Sequence, residues 1–216
     1  MSRFLEELPS EEREMFETDA LYVVPTWKDA KPILKQYLLQ LNVPIISIGC
    51  NKKSSHINHI DRDINLPQTN AFCSCAQVMF LCNYVVEVGL FNRGIGSIVD
   101  IVYSVSNRPH TDALPLYIVV NFVSISIPPQ CAYDRSNPNL VPIPPKTMRC
   151  EAGCCEMTTI PLSVCKAISI YKCQGMTIGS SEMFSKIVVM LPEKNQEWID
   201  QVCTWLLCLE SKTLVT

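Results

Sequence analysis

Tyr171-Lys172-Cys173-Gln174-Gly175-Met176-Thr177-Ile178-Gly179 is the most specific string in the chain. An apolar lead-in precedes it, Ile160-Pro161-Leu162 and then Ala167-Ile168-Ser169-Ile170. The lead-in reads as a helix over Leu162–Gln174, with Gly175 closing it in the left-handed conformation that glycine adopts without strain. Beyond the string, Lys186–Leu191 reads as a strand and Gln196–Leu209 as an amphipathic helix. On that helix Trp198, Ile199, Val202, Trp205, Leu206 and Leu209 form an apolar stripe, which either closes the core or docks a partner.

Toward the amino terminus, Ser10 followed by Glu11 and Glu12 signals a short helix, with a hydroxyl cap and acids in the first turn. Leu21–Val24 is a compact apolar run ended by Pro25, as expected of a buried strand. Thr26 or Asp29 then caps a second helix, on which Ile33, Leu34, Tyr37, Leu38 and Leu41 share a face. Pro32 lacks the N–H that a helix interior needs and fits only a first turn, which favours Asp29 as the cap. Pro44–Ile48 reads as the strand that completes a strand-helix-strand unit with a parallel crossover. Gly49–Ala76 is polar and irregular, a long loop. Val78–Leu81, Ser97–Tyr103 and Pro115–Phe122 are β-rich runs punctuated by Asn, Gly and Pro, the pattern of an antiparallel subdomain. Pro128–Pro145 is too rich in Pro and Asn to hold regular structure for long.

Composition narrows the class. A chain of 216 residues, 48% hydrophobic and 18% charged, buries a substantial core, and its formal charge of -3 excludes both disorder and a general attraction to phosphate. Met1–Glu17 carries six acidic residues and no apolar run, so no secretory signal or transit peptide is expected and a nuclear or cytosolic location follows. The apolar stretches Gln77–Phe91 and Leu114–Val123 are too short and too interrupted to cross a bilayer, which excludes a membrane partner.

Twelve Cys without an export signal are expected as reduced thiols packed as small hydrophobes. Cys150, Cys154, Cys155 and Cys165 cluster in sequence, but only Cys150 and Cys154 have the spacing of paired zinc ligands. Cys165 falls in the expected helix, and His56 and His59 fall in a distant loop. No stoichiometric zinc is expected.

Residues 171–179 resemble the His-Lys-Ser-Gln-Gly-Met-Thr signature of PIF-type, RecD-like superfamily 1 DNA helicases, and the lead-in is similar to that family's Pro-Leu and Ala-x-Thr-Ile. Gly89-Leu90-Phe91-Asn92-Arg93-Gly94-Ile95-Gly96-Ser97-Ile98-Val99 looks like its Gly-Leu-Val-Asn-Gly-x-x-Gly-x-Val segment. Leu21–Thr26 is similar to the Leu-x-Pro-Thr-Asn that opens the family's second RecA-like domain. Asp112–Tyr117 and Val141–Pro145 fit its transposon-associated eukaryotic branch. The matches run in the family's order from about Ser10 to Leu191.

The resemblance implies an α/β fold: the RecA-like second domain of a P-loop helicase with an inserted small β-rich, SH3-like subdomain. Residues 1–76 would start that domain, 77–150 would be the insertion, and 151–216 the remainder. Function implied is ATP-dependent DNA unwinding in repair and recombination, with single-stranded DNA as partner and ATP and magnesium as the parent family's cofactors. By the same resemblance Thr26, Lys172 and Thr177 face DNA, while Gln174 and Gly175 face nucleotide. Departures from the pattern are Trp27 for Asn, Tyr171 for His and Cys173 for Ser.

The catalytic parts of such a motor are not in these 216 residues. Phosphate cradling needs G-x-x-x-x-G-K-[ST], and the glycines at 49, 89, 94, 96, 153, 175 and 179 offer none. No Asp-Glu pair ends an apolar strand to hold magnesium, and no Arg follows Arg149 to act as the family's charge-stabilising finger. The expectation is a chain without a cofactor or catalytic residues of its own, inactive alone, for which a separate first RecA-like domain is a candidate partner. The alternatives are a helicase-derived interaction protein and the incomplete product of a full helicase gene.

Overall fold

The computed structural model describes residues 9–54, 69–104, 113–123, 125, 127–128, 130–150, 153–173, 184, 186–190 and 214–215. The chain divides into two compact units, one of residues 1–37 and 165–216 and the other of residues 38–164.

The first unit is built on a parallel sheet. Strand β1 (Ala20–Val24) pairs on one side with β12 (Ala167–Ser169) and on the other with β13 (Lys186–Val189), which pairs in turn with β14 (Leu214–Val215). As the inner strand of a parallel sheet, β1 is covered on both faces, and Ala20, Leu21, Val23 and Val24 are fully buried. Helix α1 (Ser10–Asp19) leads into it. Helix α2 (Trp27–Gln40) lays Ala30, Ile33 and Leu34 against Val24, Tyr22 and Ala167. It closes at Asn42, whose φ of 53° is the left-handed cap that Asn tolerates.

Several local expectations change here. Helix α2 starts at Trp27 and is capped by Thr26, not Asp29, which places Pro32 in its second turn. Pro32 is exposed and forfeits only its own bond to the Lys28 carbonyl, so the helix continues through it. The helix expected over Leu162–Gln174 is instead strand β11 (Leu162–Val164), strand β12 and the single-turn helix α3 (Ile170–Cys173). Residues 160–168 are buried without a break, and such a run has no polar face from which to tell a helix from a strand. Gln174, Gly175 and Thr177, and the helix expected over Gln196–Leu209, lie outside the described residues.

The second unit is antiparallel. Its largest sheet has the order β11-β5-β6-β7-β8, with β5 at Gln77–Phe80, β6 at Ile95–Val102, β7 at Tyr117–Phe122 and β8 at Leu140–Ile143. This is the antiparallel subdomain expected of the β-rich runs. Pro142 sits in β8, an edge strand, where its missing N–H breaks no ladder. The strand expected to close a parallel crossover, β2 (Ile46–Gly49), pairs antiparallel with β4 (Thr69–Phe72) in this unit instead. The expected long loop Gly49–Ala76 therefore contains two strands, β3 (Asn51–Ser54) and β4, and β3 joins β10 (Cys155–Thr159) and β9 (Lys146–Arg149).

The segment resembling Gly-Leu-Val-Asn-Gly forms the turn into β6. The Gly94 N–H donates to the Phe91 carbonyl at 3.0 Å, and Arg93 at the third position of that turn has a φ of 80°. This is the type II geometry that favours glycine, and Arg93 stands where the resembling motif has Gly. Arg93→Gly is expected to stabilise the chain by roughly 0.5–1 kcal/mol, because relief of left-handed strain outweighs the added entropy of the unfolded chain. A urea melt with unchanged slope and a raised midpoint is the expected readout. An unchanged or lowered midpoint would mean that the arginine side chain compensates its own strain.

Candidate nucleic-acid interface

Strands β1 and β12 run parallel and end in register, Val24 beside Ser169. Thr26 lies two residues past one end and Lys172 three past the other. In open α/β sheets this carboxyl edge is where ligands bind, because the chain leaving each strand there presents side chains and helix N-termini to a crevice.

The sequence folds tightly at Thr26. Its hydroxyl donates to Asp29 Oδ2 at 2.6 Å, its backbone N–H donates to the same oxygen at 3.1 Å, and the Asp29 N–H reaches Thr26 Oγ1 at 3.4 Å. This reciprocal cap satisfies donors that a helix start otherwise leaves open, and Asp29 in the first turn complements the helix dipole. A phosphate approaching the Thr26 hydroxyl therefore meets a carboxylate that already holds it. Thr26→Ala is expected to cost about 1 kcal/mol of stability, while Thr26→Ser should retain most of it. Equal thermal denaturation of both variants and the parent chain would contradict the capping role.

Trp27, the first residue of α2, is 38% exposed, and Lys172 Nζ sits 5.0 Å from the centroid of its ring. The ammonium is thus held over an aromatic face, an attraction of about 0.5–1 kcal/mol at an exposed site. Next to it Tyr171 is 66% exposed. The edge therefore carries a cation and two accessible aromatic rings, a combination suited to a phosphate backbone with stacked bases. Of the residues singled out by resemblance, Thr26 and Lys172 come to this edge. Trp27, which reads in the sequence only as a departure from Asn, joins them. The only mark it leaves in the sequence is an aromatic two residues after the Pro25 that follows β1, and nothing there ties it to Lys172 of α3.

The thiols of the second unit form a separate cluster. Cys150, Cys154 and Cys155 converge at the turn between β9 and β10, and Cys165 is not among them, since it lies between β11 and β12. A hydrogen bond from the Cys155 thiol, aided by one from Cys154, holds the Cys150 thiol down to about 7, while Cys155 is pushed up to about 12 by its bond to Cys150.

No protein-family model matches the sequence, and no curated protein does either. Solved structures do. The chain superposes on the Pif1 helicase from Candida albicans with a TM-score of 0.58 at 19% identity, covering 79% of this chain and 38% of that one. For Bacteroides Pif1 bound to single-stranded DNA the TM-score is 0.53 at 14% identity, over 86% of this chain and 40% of that one. A Pif1 structure addressing unwinding of forked duplex DNA gives 0.54 at 17% identity, over 85% and 37%. The chain thus has a mixed α/β fold similar to part of a Pif1 helicase, and it spans less than half the length of these proteins. Among the described residues no helix is long and apolar enough to cross a membrane.

Proposed function

We propose that this chain is the portion of a Pif1-like DNA helicase that grips single-stranded DNA, equivalent to the second RecA-like domain with its inserted β-rich subdomain. The observation that carries this reading is the meeting of Trp27 and Lys172 at the carboxyl edge of the parallel sheet. Lys172 supplies charge for a backbone phosphate and Trp27 a ring for a base. Thr26 sets the position of Trp27 through the helix cap and offers its hydroxyl when Asp29 releases it. Gln174, Gly175 and Thr177 follow Lys172 directly, and in this reading Thr177 extends the DNA contact while Gln174 and Gly175 face a nucleotide.

These 216 residues contain no phosphate-binding glycine loop. Weak binding to an oligothymidylate is expected at low salt, fading as salt rises because counterion release drives it. Fluorescence anisotropy of a labelled oligonucleotide reads this directly, and undetectable binding at low salt would remove the proposal. Millimolar ATP with magnesium is expected to leave the melting temperature unchanged. A ligand stabilises the fold only when its concentration exceeds its dissociation constant, and one or two hydrogen bonds do not reach that. A rise of several degrees would reveal a nucleotide site in these residues.

A further inference from the structure

The hairpin of β9 and β10 concentrates sulfur on one face. Side chains alternate along a strand, so Met148 and Cys150 on one arm share a face, as do Cys155 and Met157 on the other, and Met148 pairs directly with Met157. Cys150, Cys155 and Met157 are buried there, with Met148, Cys50 and Leu81 packed against them. At the turn the Sγ atoms of Cys150, Cys154 and Cys155 all lie within 4.8 Å of one another, with Cys150 and Cys154 3.6 Å apart.

We propose that Cys150, Cys154 and Cys155 form a three-coordinate site for a soft monovalent cation, Cu(I).

Metal–sulfur bonds of about 2.3 Å place three sulfurs around a shared ion at mutual distances of about 4 Å, the spacing already present in this turn. The three described donors are all sulfur, which suits a soft metal ion. Among the described residues no His, Asp or Glu joins the three thiols, and Glu156, next to Cys155 in β10, is paired with Arg149 at 2.6 Å. Structural zinc takes four ligands in a tetrahedron, whereas Cu(I), a soft ion suited to sulfur donors, accepts three thiolates in a plane. Backbone hydrogen bonds among the described residues frame the site. The Cys150 N–H donates to the Cys155 carbonyl at 3.1 Å and the Gly153 N–H to the Cys150 carbonyl at 2.9 Å, with Gly153 at a φ of 69° that favours glycine. Cys150 and Cys155 are buried and Cys154 is exposed, which leaves an entry on one side. On binding, S–H bonds are exchanged for S–Cu bonds, the thiol protons pass to buffer and copper stays monovalent.

The full chain, reduced and kept free of oxygen, would be titrated with Cu(I) acetonitrile complex against a chromogenic Cu(I) chelator. One equivalent is expected to resist the chelator, with a thiolate-to-copper charge-transfer band and a raised melting temperature. Cys154→Ser changes an exposed residue and should leave the circular dichroism spectrum intact. It is expected to lower the chelator concentration that strips copper by at least about tenfold, since even outer-sphere partners of a metal are worth that much. Cys131→Ser, an exposed cysteine in another loop, should retain copper fully. The proposal is overturned if the chelator empties the parent chain, if Cys154→Ser holds copper as well as the parent, or if excess zinc displaces copper from the site.

Discussion

Gly96→Ala is expected to destabilise the chain by about 3 kcal/mol, the upper end of what a single added methyl does in a packed interior. Gly96 lies in β6, the middle strand of the five-stranded sheet, between Val78 of β5 and Phe122 of β7. A Cβ there would sit 2.5 Å from Val120 Cγ1 and 2.7 Å from the Asn121 carbonyl oxygen. A side chain alone can rotate aside, but the second neighbour is backbone of the paired strand. Relief requires β6 and β7 to part where they are hydrogen-bonded. For a chain of this size the loss corresponds to a fall in melting temperature of roughly 6–12 °C. Gly49→Ala is the matched control, because nothing lies within 4 Å of the added carbon, and its effect should stay within about 0.5 kcal/mol. Equal melting of the two variants would contradict the close approach of β6 and β7.

Trp27→Ala is expected to weaken binding of single-stranded DNA by roughly 5- to 150-fold, the range a stacked base gives by alanine substitution. Lys172→Ala acts through a different term. Losing one phosphate contact should lower the slope of log affinity against log salt by about 0.7, with Lys172→Arg restoring it. The two effects separate by ionic strength: the tryptophan's loss persists at high salt and the lysine's vanishes. Because Lys172 Nζ rests over the Trp27 ring, the double variant should lose less than the sum of the single losses. Trp27→Ala with parental affinity, or Lys172→Ala with an unchanged slope, would remove the respective residue from the interface.

What was legible in the sequence follows from where burial is decided. Leu21–Val24 and Ile187–Val189 are recognisable because the buried part of an inner parallel strand is apolar and short. The antiparallel runs at Gln77–Phe80, Ile95–Val102 and Tyr117–Phe122 are recognisable because turn residues separate them. Pairing across long separations left no local trace. The nearest strand after α2, Ile46–Gly49, turns away to meet Thr69–Phe72, and β1 finds its partners at Ala167–Ser169 and Lys186–Val189. The buried run of residues 160–168 hid two strands because burial on every side erases periodicity. At the candidate interface, resemblance alone pointed to Thr26 and Lys172. No sequence pattern indicated that Trp27 would lie under the Lys172 ammonium, since 145 residues separate them in the chain.

Mapping amide and indole N–H chemical shifts while the chain is titrated with an oligothymidylate at low salt tests the DNA-gripping account most directly. Shifts are expected to concentrate at residues 24–29 and 169–173, with the Trp27 indole among the largest, and to collapse as salt is added. Shifts that are absent, or confined to the antiparallel unit of residues 38–164, would contradict it.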